Sequence, residues 1–192
     1  GYSLREPAIV EQLPSLSGDV AAVLADHAAY LRDVERAERF LCPLPLDDGA
    51  GVAPVPGIWV RQPEAELFKS WARGDVRDGS RPRGYVFTGV QISAERAILS
   101  VAPDSGVTLL GLGDALESAE QAKRQQLGRP RTGSVREGCD SPDPWYDGRS
   151  ALHGYTIVDA PRDGTVLSPE EIRRTFDEYL GEIKKTRSWQ NA

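Results

Sequence analysis

A chain of 192 residues, 40% of them hydrophobic and 27% charged, has the length and balance of one globular unit that buries a core without needing a disulfide or a metal. Its formal net charge of −6 argues against nucleic acid as the main ligand, because phosphate binding draws on an excess of Lys and Arg. The two cysteines, Cys42 and Cys139, lack metal-ligand spacing, no apolar run approaches a membrane span, and no signal layout opens the chain, so the composition predicts a cytoplasmic protein with no membrane, metal or cofactor.

The first long element predicted is a helix over 19–41, with Ser17 and Asp19 as capping oxygens and Pro43 as the stop. Val20, Leu24, His27, Leu31 and Val34 follow a four-three spacing that places them on one stripe, while Asp26, Arg32, Asp33, Glu35 and Arg36 cover the other side. Such a stripe either packs on the domain's own sheet or docks a helix of a partner or a second copy. A shorter helix over 7–13 is expected ahead of it. The Pro- and Gly-rich stretch 43–57 predicts an extended linker, dividing the chain into a helical segment (1–42), the linker and an α+β domain (58–192) within one globular unit.

Beyond the linker, the β-branched and aromatic runs predict strands near 58–60, 85–92, 97–102, 107–112 and 155–158. The three runs over 85–112 read as an antiparallel meander with Val86, Ile98, Val101 and Leu109 in the core. Helices are predicted near 64–73, with Leu67, Phe68 and Trp71 on one side, and near 115–127. A last helix over 169–186 is opened by Ser168-Pro-Glu-Glu, a cap followed by proline and acids at the positive end of the dipole. Strands grouped apart from helices predict an α+β fold with a small antiparallel sheet packed by the long N-terminal helix.

Several fragments resemble motifs of known families without their chemistry. Asp159-Ala-Pro is similar to the strand-end aspartate of translation-type GTPases, but the chain has no phosphate-binding GxxxxGK[ST] loop. Asp143-Pro-Trp-Tyr resembles a segment of low-molecular-weight tyrosine phosphatases, yet neither cysteine opens a phosphate loop. Arg73-Gly-Asp-Val-Arg resembles the opening of ADP-ribosylating toxins, for which Ser134 and Glu182 would be the partners in a context that does not match. Gly111-Leu-Gly lacks the third glycine of a dinucleotide loop.

The stretch 139–164 concentrates ionisable and aromatic groups between the turn dipeptides Asp147-Gly and Asp163-Gly. As a binding surface it offers Trp145, Tyr146, Arg149 and Tyr155. As a catalytic one it offers His153 as general base beside Asp143 and Asp147, with Arg149 clamping an anion. No intact catalytic motif accompanies it. The chain therefore reads as a non-catalytic interaction or regulatory module, an accessory subunit of a cytosolic assembly, joined to a protein partner or to itself through Val20, Leu24, His27, Leu31 and Val34. The alternative is a small hydrolase or transferase acting through 139–164.

Overall fold

A computed structural model describes residues 7–75, 84–131, 142–150 and 154–188 of the chain. In chain order the elements are α1 (Pro7–Arg36), β1 (Glu38–Pro45), β2 (Val52–Arg61), α2 (Phe68–Gly74), β3 (Phe87–Ser93) and β4 (Arg96–Val101). They are followed by α3 (Leu112–Gln126), β5 (Tyr146–Ser150), β6 (Gly154–Asp159) and α4 (Pro169–Ser188). The strands make one six-stranded sheet in the order β1-β2-β3-β4-β6-β5. The class is α+β, as the grouping of elements predicts.

The sheet is mixed, which corrects the all-antiparallel expectation. β2 and β3 run parallel, Gly57 opposite Phe87 through Arg61 opposite Gln91, while the other neighbours are antiparallel. The chain between β2 and β3 carries α2, the kind of crossover that a parallel pair requires.

Three further expectations change. The N-terminal helix is a single element from Pro7 and ends at Arg36, so the separate 7–13 helix, the caps at Ser17 and Asp19, and the extension to Leu41 all give way. From Glu38 onward the apolar residues alternate: Cys42 and Leu44 face the core while Leu41 is 72% exposed, and that period belongs to a strand. The stretch 43–57, read as a linker, is occupied mainly by the β1–β2 hairpin. Its prolines are tolerated because β1 is an edge strand, and Pro54 and Pro56 precede the point where β2 begins to pair with β3. Finally, 107–112 is no strand of the meander; it makes one isolated bridge, Leu46 with Val107, and turns through Gly111 (φ +86°) into α3. Its apolar residues Val107, Leu109 and Leu112 are buried because the segment closes one end of the core rather than extending the sheet.

Helices lie on both faces of the sheet. On one, α3 and α4 cover Trp59, Phe87, Leu99, Val101 and Val158. Phe87 and Phe176 stack with ring centroids 4.6 Å apart, and the Arg173 guanidinium sits 4.7 Å from the Phe40 ring centroid. Gly89 is needed here, since a Cβ would collide with the Trp59 ring. On the other face, Tyr30 and Val34 of α1 and Phe68 and Ala72 of α2 pack on Ile58, Val60, Tyr85 and Val90. The start of α4 is a capping box: the Glu171 N–H donates to Ser168 Oγ (3.2 Å), and the Ser168 N–H donates to Glu171 Oε2 (2.8 Å). No helix among the described residues is long and apolar enough to cross a membrane.

Candidate functional site

The stripe of α1 divides into two parts. Tyr30 and Val34 are buried, and Leu31 and His27 are half-buried, the imidazole lying 4.6 Å from the Trp71 ring centroid. Asp26 marks the edge of that contact. Its carboxylate accepts from the backbone N–H groups of Glu66 (2.6 Å) and Leu67 (3.3 Å) and from Trp71 Nε1 (2.7 Å), so it caps the turn leading into α2. Burial alone would raise its pKa, but these donated bonds outweigh burial and hold it below the usual carboxylate value. Asp33, fully buried, does the same two turns later: it accepts from the N–H groups of Glu64 (3.1 Å) and Ala65 (2.9 Å) and pairs with Arg36.

Over residues 18–25 the helix overhangs the domain. Every residue from Gly18 to Ala25 is exposed, with Val20 at 57%, Val23 at 48% and Leu24 at 63%. Leu24, placed on the stripe with Val20, is uncovered in the single chain. The phase that the domain covers is His27, Tyr30 and Val34, and projected back along the helix it passes through the exposed Val23 and Val20. In the sequence the same four-three spacing continues back through Leu16, Leu13 and Ile9.

The described side chains of the 139–164 segment face different ways. His153 and Cys139 lie outside the described residues, as does the side chain of Arg149, which sits in β5 opposite Tyr155. Trp145 is buried at 3% exposure: its N–H donates to Glu117 Oε2 (3.0 Å) and its indole Nε1 to Glu120 Oε2 (3.4 Å). It fills the core beneath α3 and presents no contact surface. Asp143, in a left-handed backbone conformation (φ +41°), accepts from the Asp163 N–H (3.0 Å) and ties two turns together. The Tyr155 carbonyl accepts from the Leu109 N–H (2.8 Å) and from Thr108 Oγ1 (3.1 Å). Tyr155 also lines a recess of about 570 Å³ with Thr108, Leu110 and Tyr179.

Tyr146 and Asp147 neighbour each other in β5 but face opposite ways. Tyr146, 51% exposed, lies opposite Asp159 on the sheet face that carries α2. Asp147 points at the first turn of α3, where a Cβ on Gly113 would stand 2.9 Å from its own Cβ. Its Oδ1 is buried with no hydrogen-bond partner among the described residues. Burial first, and the Asp114 carboxylate second, push its pKa up to about 6.

Residues that the sequence reading passed over do much of the organising. Glu120 is fully buried and accepts from Arg124 Nε (2.7 Å), the Val166 N–H (3.0 Å), Thr165 Oγ1 and Trp145, binding α3 to the chain on either side of the β5–β6 hairpin. Its place on the row Leu112, Leu116, Glu120 was the available signal, since a carboxylate on an apolar row must bring its partners inside.

The second surface of interest is a groove of about 340 Å³ between α2 and the sheet, walled by Leu67, Phe68, Val90, Ile92 and Ile98. Leu67 and Ile92 are 51% and 46% exposed, and Lys69 is half-buried along it. Among the described residues no cluster of His, Cys, Asp or Glu is arranged to hold a metal ion. Comparison with protein-family models, with curated proteins and with solved structures gives no match.

Proposed function

We propose that this chain is a non-catalytic interaction module, an accessory subunit that docks through the overhanging half of α1. One observation carries the reading. A single apolar stripe is buried by the domain at Tyr30 and Val34 and then runs on, uncovered, through Val23, Leu24 and Val20. Covering those three side chains, each about half exposed, contributes about 1 kcal/mol each, which helps to order a helix end that the domain does not cover.

The occupant proposed is the same segment of a second copy. Between residues 7 and 25 the ionisable side chains are Glu11 and Asp19, so two copies meet with little like-charge repulsion. Two identical stripes laid against each other form an isologous pair, the commonest symmetry of association. Cytoplasmic residence belongs to the same reading, and Cys42, a free thiol buried in β1, is compatible with a reducing compartment.

Sedimentation equilibrium tests the proposal. The wild-type chain is expected to dimerise with a Kd of about micromolar order. Val20→Asp/Leu24→Asp is expected to be monomeric while its unfolding free energy changes by only about 0.5 kcal/mol, because both positions are exposed in the single chain. A wild-type chain that stays monomeric to about 100 µM contradicts the proposal.

A further inference from the structure

The groove beside α2 carries a charge pattern that packing does not explain. Lys69 and Arg73 stand one helical turn apart on α2 and project the same way. Arg73 donates from Nη2 to Ser100 Oγ (3.3 Å) and to the Val101 carbonyl (3.0 Å), while its Nε is buried with no partner among the described residues. Lys69 makes no hydrogen bond or ion pair among the described residues, although it is half-buried and lines the groove together with Phe68, Val90 and Ile98. Burial, and then repulsion from Arg73, lower the Lys69 pKa, with Asp159 of β6 opposing them. Asp159 is in turn shared with Arg96 and is itself half-buried, so it does not discharge the ammonium alone.

We propose that this groove is a binding site for a small amphipathic carboxylate, its apolar tail against Leu67, Val90, Ile92 and Ile98 and its carboxylate on Lys69. A desolvated ammonium at the lip of an apolar slot gains most from an anion that brings its own apolar surface, because the same ligand covers the walls and restores the charge balance. Size sets the ligand class. A volume of about 340 Å³ is at the lower end for ligand pockets and holds roughly ten water-sized groups, which fits a medium-chain or aryl monocarboxylate. A polyanion does not fit, since the slot is lined by one lysine with the Glu66 carboxylate nearby, and a net charge of −6 offers no track for repeated phosphates.

The test is an NMR titration of the full-length chain with octanoate, with octanol as the uncharged analogue. Saturable shifts are expected at Leu67, Lys69, Val90, Ile92 and Ile98, with octanol binding about tenfold more weakly or worse, the scale of one charge-assisted hydrogen bond. Lys69→Gln is expected to weaken octanoate by about the same factor with an otherwise unchanged spectrum, and Lys69→Arg to keep binding within about threefold. Three results each overturn the site: no saturation by about 10 mM octanoate, equal affinity for octanoate and octanol, or Lys69→Gln binding like wild type. The second and third would mean adventitious apolar contact only.

Discussion

Asp147 illustrates how a residue's neighbours override its reference chemistry. Its carboxyl faces the start of α3, where the helix dipole favours negative charge. Burial and the nearby Asp114 work the other way and prevail, pushing the pKa up to about 6. The folded protein therefore holds this proton more tightly than the unfolded chain. The stability tied to it is complete below about pH 4 and is lost as pH rises through about 6. Asp147→Asn removes the charged form. Because solvent screens a half-buried group, the variant is expected to be more stable than wild type at pH 8 by about 1 kcal/mol, less than the shift alone would give. At pH 4 the difference should vanish. Urea unfolding at both pH values measures it, and a variant less stable than wild type at pH 8 would show that the helix terminus dominates instead.

At the scale of elements, legibility followed periodicity. α4 and its capping box were readable because Ser168, Pro169 and Glu171 each have one good use at a helix start. β3 and β4 were readable from alternation and a short connection. β1 was not, because Leu41 continues the spacing of the helical stripe on paper and only its exposure against the burial of Cys42 reveals the change of period. The prolines at 43, 45, 54 and 56 concealed the hairpin, since whether a proline breaks a strand depends on which edge is unpaired. The candidate site was half legible. The α1 stripe could be seen in the sequence, but where the domain stops covering it could not. Trp145 has the composition of a contact residue and the position of a core one, and Glu120 decides that position. Glu120→Ala leaves Arg124, Thr165 and the Trp145 indole short of an acceptor, so it is expected to cost about 3 kcal/mol or more of unfolding free energy. Denaturant titration followed by tryptophan fluorescence checks this, and a loss under about 1 kcal/mol would mean that the hairpin is held by packing alone.

Seen whole, the molecule is a sheet with helices on both faces and one helix too long for the body it packs on. The 30 residues of α1 extend about 45 Å, yet the part with described side chains that the domain buries begins only near Asp26. A helix end without tertiary cover frays, since its hydrogen bonds are open to water and nothing offsets the entropy of ordering them. The dimer proposed above would supply that cover, with a second copy of residues 7–25 as the occupant. Amide hydrogen exchange over residues 18–25, followed at two protein concentrations, measures that cover directly. If α1 docks as proposed, protection of these amides rises by at least about tenfold between about 1 and 100 µM and disappears in Val20→Asp/Leu24→Asp. Fast exchange at both concentrations, with Tyr30 to Val34 protected throughout, would contradict the account.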